Sequence, residues 1–125
     1  MPEENFTNKY FFDTYALIEL LRKNPSYQPY LGSHIVVTKL NLFEVYEILL
    51  QDYNLELADQ FLKAYAHYAK NYTAKTIREA VLLRQNHKKL SMTDCIGYAL
   101  ARQLKVPFLT GDRAFRNLDG VEYVN

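Results

Sequence analysis

The stretch SMTDCIGYALARQLKVPFLTGDRAF, Ser91 to Phe115, decides how this chain is read. Met92, Cys95, Ile96, Ala99, Leu100 and Leu104 fall at i, i+3, i+4, i+7, i+8 and i+12, the apolar stripe of an amphipathic helix that starts after Ser91. Val106 to Thr110 then reads as a buried strand, and Gly111 with Asp112 as the turn behind it.

Outward from this block, strands and helices alternate. Lys9 to Phe12 is a short aromatic run ending at Asp13, and Thr14 to Leu21 switches to helical spacing with Ala16, Leu17, Leu20 and Leu21. Pro25, Pro29 and Gly32 punctuate a loop before the β-branched run Ile35, Val36, Val37, which is typical of a buried strand. Asn41 to Tyr53 follows as a helix. Leu55 to Lys70 reads as another, with Leu57, Phe61, Leu62 and Tyr65 as its buried stripe, and Ala74 to Asn86 as a further one. Tyr72 and Thr73 form a short strand or only a turn. Val121 to Val124 is the last short strand. The alternation implies an α/β domain with a parallel sheet covered by helices on both faces. Ligands gather at the carboxyl ends of such strands, so topology alone puts Asp13 and Asp112 at the same edge.

Composition narrows the function. A chain of 125 residues, 49% hydrophobic, is the size of one domain with a real core, and residues 1–125 are expected to form one. Fifteen basic and 14 acidic residues give a net charge of +1, which exerts no global pull on a polyanion, so any nucleic-acid affinity must be local. Cys95 is the single cysteine. It excludes an internal disulfide and a thiolate-pair zinc site, and fits a reducing cytoplasm. The apolar stretch Tyr10 to Leu21 is broken by Asp13 and Glu19 and preceded by Glu3 and Glu4, so it reads as neither a secretion signal nor a membrane span. The 11 tyrosines, spread over most of the chain, are read as packing and surface chemistry.

Four acids occupy element boundaries: Asp13 after a strand, Glu44 and Asp94 in first helical turns, Asp112 in a turn. Converging carboxylates repel, and such a cluster is tolerable chiefly when a cation neutralises it or some acids stay protonated. All-oxygen ligation points to Mg²⁺ or Mn²⁺, and an ion of that kind suits phosphodiester hydrolysis. Each acid also has an ordinary explanation. Ser91-Met92-Thr93-Asp94 matches a capping box, Asn41-Leu42-Phe43-Glu44 resembles one with asparagine as cap, Asp13 can cap the helix after it, and Gly111-Asp112 can be a plain turn. Spacing by itself leaves both readings open.

Three segments tip the balance. YFFDTYALIELL (Tyr10 to Leu21), VVTKLNLFEVYEILL (Val36 to Leu50) and the Ser91 to Phe115 block resemble the signature blocks of PIN domains, in particular the VapC-like ribonuclease toxins. The resemblance implies a three-layer sandwich around a central parallel sheet and metal-dependent endonucleolytic cleavage of single-stranded or looped RNA. It implies metal-binding acids at Asp13, Glu44, Asp94 and Asp112, with a hydroxyl beside them at Thr110. It further implies Mg²⁺ or Mn²⁺ as cofactor, frequent homodimers and, for a toxin, an antitoxin partner. Two features depart from the pattern or leave it open. Tyr15 is bulkier than the small polar residue often found two positions after the first acid, and Glu47 lies one helical turn beyond Glu44, so that either can face a metal.

Arg113 and Arg116 flank Asp112 and are candidates for contact with an RNA backbone. Lys75, Arg78, Arg84, Lys88 and Lys89 make the most basic region, better read as a solvated helix face. His34, His67 and His87 lack metal-ligand spacing, and Cys95 sits on an apolar stripe as a small core residue. Two other functions fit part of the pattern. A phosphoacceptor receiver domain needs an aspartate ending a central strand, whereas its candidate, Asp52, lies in a helical pattern, and Asp13 has no adjacent acid. A PIN-like domain that binds RNA without cleaving it is the other, and retention of all four acids counts against it.

Overall fold

A computed structural model describes residues 8–125; Glu3 and Glu4 lie outside the described residues. The order of elements is β1 (Lys9–Phe12), α1 (Thr14–Leu21), β2 (His34–Val36), α2 (Lys39–Asp52), α3 (Leu55–Tyr65), α4 (Ala74–Asn86), α5 (Met92–Leu104), β3 (Phe108–Thr110) and β4 (Val121–Tyr123). Short 3₁₀ turns occupy Pro25–Tyr30, Ala66–Tyr68 and Arg113–Phe115. The four strands form one parallel sheet in the order β2-β1-β3-β4. Helices cover both faces, so the expected sandwich around a parallel sheet is the one observed.

Successive strand residues point to opposite faces, and that alternation builds two cores. Phe12 and Leu109 face α1, α2 and α3, where Leu17, Val45 and Phe61 pack on them. Phe11 and Phe108 stack with ring centroids 5.4 Å apart and face α5, together with Phe115 and Ala80 of α4. Gly97 allows α5 to lie this close, since a methyl group there would come 2.8 Å from the Phe11 ring. Cys95 is buried in this second core, as its place on the stripe suggests.

Several boundaries differ from the sequence reading, each for a physical reason. The second helix starts at Lys39, not Asn41: Thr38 is the cap, and Asn41 is its reciprocal partner, with Oδ1 accepting from the Thr38 backbone N–H at 3.0 Å. Glu44 is therefore in the second turn of α2. The helix expected to run to Lys70 ends at Tyr65, because Val37 bridges Ala69 and its carbonyl accepts from Lys70 N at 2.8 Å, drawing the chain toward the sheet. The buried face of α3 carries Ala58 and Phe61; Leu57 and Leu62 are exposed and Tyr65 is half-buried. On α5 the middle of the stripe is buried but Met92 and Leu104, at its ends, are exposed. Tyr72 and Thr73 make no strand; Thr73 caps α4. Strand β3 begins at Phe108, since Lys105 closes α5 in the left-handed conformation (φ 59°) and Val106 N still bonds back to Ala101. No helix among the described residues is long and apolar enough to cross a membrane.

Candidate metal-binding site at the carboxyl edge of the sheet

From the central strand β1, the chain first moves outward to β2 and later returns on the other side to β3 and β4. The crevice outside the carboxyl ends of β1 and β3 is thus the switch point of the sheet, where open α/β folds place their ligands. Asp13 follows β1 and its backbone N–H donates to Leu109 O at 3.2 Å, which ties it to the end of β3. Thr110 ends β3 and Asp112 follows two residues later.

Asp13 is 4% exposed. Its Oδ1 accepts from Ala16 N at 2.8 Å and so caps α1. Burial pushes its carboxyl up to about 7, and the charges of Asp94 and Asp112 push the same way, while the hydroxyl of Thr110 and the Ala16 N–H hold it down. Asp94 is the third residue of α5. The capping box with Ser91 is real in both directions: Asp94 Oδ2 accepts from Ser91 N at 2.9 Å and Ser91 Oγ from Asp94 N at 3.1 Å. Burial again raises its pKa, Ser91 opposes the shift, and Asp112 and Glu44 add to it. Asp112 caps the Arg113–Phe115 turn through Ala114 N at 3.0 Å, and its own N–H donates to Thr110 Oγ1 at 3.0 Å. Thr110 thereby links two of the acids.

Glu44 points to the same place. It accepts a 2.6 Å hydrogen bond from the hydroxyl of Thr14, the residue after Asp13, and its charge reaches Asp94. Glu47, a turn further along α2, is exposed and lines a groove with Lys39, Phe43 and Leu62. The tertiary structure thus separates the two glutamates that spacing could not. Thr14 and Thr38 escaped the sequence reading, and Asn41, read as the cap before Glu44, is instead the buried partner of Thr38: its Nδ2 donates to Thr14 Oγ1 at 3.3 Å, so the Thr38 capping box is wired to Glu44. The signal was a polar pair, Thr38 and Asn41, at capping spacing just after a strand.

Capping does not silence these acids. Asp13, Asp94 and Asp112 each commit one named oxygen to a helix or turn terminus, and their charges still act on one another. No lysine or arginine pairs with any of the four acids among the described residues. Arg113 and Arg116 are exposed on the turn beside Asp112. Among the described residues no three His, Cys, Asp or Glu side chains already stand close enough to hold an ion. The chemistry of the donor set nonetheless fits a hard divalent cation: carboxylates and a hydroxyl, no nitrogen or sulfur, and a buried acid that no lysine or arginine among the described residues pairs with.

Other candidates fall away from this edge. His34 and His67 are exposed, and His87 ends α4. Arg84 ties α4 to the following loop through Leu90 O at 2.9 Å, and Arg78 pairs with Glu79. Asp52 ends α2 on the surface, 3.8 Å from Arg22, far from the strand end a phosphoacceptor requires.

The PIN-domain family model matches residues 10–121. Among solved structures, a toxin–antitoxin complex from Klebsiella pneumoniae superposes with a TM-score of 0.74 at 22% identity, over 90% of this chain and 95% of that one. VapBC2 from Rickettsia felis, bound to a DNA fragment from their promoter, superposes with a TM-score of 0.70 at 16% identity, over 94% of this chain and 98% of that one. No curated protein matches the chain significantly.

Proposed function

We propose, from the premise that the chain belongs to the PIN-domain family, that it is a metal-dependent endoribonuclease and the toxin of a toxin–antitoxin pair. The observation that carries this reading is geometric: Asp13, buried and capped at the switch point of the sheet, lies at the end of the strand beside the one that leads through Thr110 to Asp112, Glu44 and Asp94 reach the same edge, and no lysine or arginine pairs with these acids among the described residues. Unneutralised acids gathered at one edge suit a bound cation.

Asp13, Glu44, Asp94 and Asp112 would hold Mg²⁺ or Mn²⁺. When bound, the ion supplies charge to a phosphoryl oxygen and lowers the pKa of a water. The chain's own residues perform the positioning. The Thr110 hydroxyl lowers the pKa of Asp13 and accepts from the Asp112 N–H, so one side chain acts on both acids across neighbouring strands. Thr14 orients Glu44, and the Ser91 box fixes Asp94 on the first turn of α5. Arg113 and Arg116 are set to meet backbone phosphates beside Asp112, where guanidinium and phosphate geometry match. A chain with a buried free cysteine suits the reducing cytoplasm. Exposed apolar side chains on α2 and α3, such as Phe43, Leu50 and Leu62, suit an antitoxin or a second copy.

The test is incubation of the purified protein with structured and unstructured RNAs in Mg²⁺, in Mn²⁺ or in excess chelator. Cleavage in either metal and none in chelator is expected; undiminished cleavage in chelator would falsify the metal mechanism.

A further inference from the structure

The resemblance noted in the sequence breaks at Tyr15, and the structure shows what that bulky residue does. Tyr15 is the second residue of α1, two positions after Asp13, and its ring lies over the turn that carries Asp112. A methyl group at Gly111 would overlap Cε1 of Tyr15, come 2.8 Å from its Cζ, and come 2.5 Å from Val124 O. Glycine at 111 is therefore what lets the ring bridge the first turn of α1 and the Thr110–Asp112 segment. Behind it stands Tyr27, at a centroid distance of 6.5 Å, fully buried and anchored by a 2.6 Å hydrogen bond from its hydroxyl to Val124 O.

Tyr15 is held between Gly111 and Tyr27 yet is 39% exposed, unlike the fully buried Phe11, Phe12, Tyr27, Phe108 and Phe115. The ring lies against Gly111, next to Asp112, and exposed Arg113 follows on the same turn, so an exposed aromatic and a cation flank one short segment. That is the combination by which proteins hold single-stranded nucleic acid: the base stacks and the backbone is neutralised. We infer that Tyr15 is a substrate-positioning residue whose exposed ring stacks the nucleobase next to the scissile phosphodiester. The inference rests on the nuclease reading of the acid cluster. It deepens that reading by naming the residue that would seat a base beside the cut: a base stacked on Tyr15 has left its own neighbours.

Stacking that is equal in ground and transition states changes KM and leaves kcat in place. The experiment uses a random-sequence single-stranded RNA pool with Mg²⁺ or Mn²⁺, followed by steady-state kinetics on its best-cleaved member and on a series of that oligonucleotide with one abasic position each. Wild type, Tyr15→Phe and Tyr15→Leu are compared; leucine still covers Gly111 but offers no ring. Tyr15→Phe should behave as wild type. Tyr15→Leu should raise KM about tenfold at nearly constant kcat. One abasic position adjoining the cut should raise KM for wild type by a similar factor and have no further effect on Tyr15→Leu. An unchanged KM in Tyr15→Leu, or equal abasic penalties in both proteins, overturns the stacking role while leaving the nuclease reading intact. The abasic series on wild type decides the matter even if Tyr15→Leu melts early, since no sensitive position beside the cut means no stacked base. No cleavage by wild type in either metal overturns the nuclease reading, and this inference with it.

Discussion

Replacing Asp13 by asparagine should stabilise the metal-free protein, and by an amount that grows with pH. The carboxyl moves from 3.8 to about 7 on folding, chiefly through burial. A gap of roughly three units, at about 1.4 kcal/mol per unit, makes about 4 kcal/mol the ceiling of the effect. The sign follows from proton uptake. With its folded pKa raised, Asp13 binds more protons in the native state than in the unfolded chain between these two values. Its contribution is intact below about pH 4, is lost as pH rises toward 7, and is gone above that. Asparagine accepts from Ala16 N about as well as aspartate at a cap, and has no charge to bury. The stability difference between variant and wild type should thus be small near pH 4 and approach about 4 kcal/mol near pH 8. Asp94, raised in the same direction, tilts both proteins alike and largely cancels in the difference. Urea unfolding at stepped pH in chelator measures this directly, and repeating it in saturating Mg²⁺ should stabilise wild type more than the variant, since a cation offsets the buried charge. A difference curve that is flat with pH would refute the buried, uncompensated carboxylate, and so would one that turns against the variant as pH rises.

The remaining predictions concern the other residues of the edge. Asp94→Asn and Asp112→Asn should each lower RNA cleavage by orders of magnitude while melting temperature barely moves, because the amide keeps most of the capping and loses the charge; full activity in both would remove the proposed site. Glu44→Gln should be as damaging in the same cleavage assay and Glu47→Gln nearly silent, given that Thr14 holds only the former; the reverse pattern would reassign the ligand. Gly111→Ala should cost about 1–3 kcal/mol in urea unfolding, since the added methyl meets the Tyr15 ring and the Val124 carbonyl, and an unchanged midpoint would mean that segment is free to shift. Light scattering across a concentration series should show a dimer, and a monomeric mass throughout would count against it.

What the sequence determined by itself was whatever is settled within a few residues. The Ser91–Asp94 capping box was legible because its atoms belong to residues three apart on one helix turn. The α5 stripe, the strand at Leu109 and the strand-to-helix switch at Asp13 were legible because periodicity is a local property. Resemblance in three short blocks then pointed to the family. Choices between equivalent local patterns were left to the tertiary structure. Spacing pointed to Asn41 as the cap of α2, but the pairing of Val37 with Ala69 and Lys70, which holds the chain extended up to Thr38, makes Thr38 the cap instead. Glu44 and Glu47 sit one turn apart, and only the packing of α1 against α2 brings Thr14 to the first of them. The face of α3 that is buried depends on where α2 lies, which is why Ala58 is covered and Leu57 is not. Above all, Asp13 and Asp112 are far apart in the chain. The alternation of strands and helices already put both at one edge of the sheet; that β1 lies directly beside β3, and that this pairing buries Asp13 and raises its pKa, is a long-range choice that no local spacing encodes.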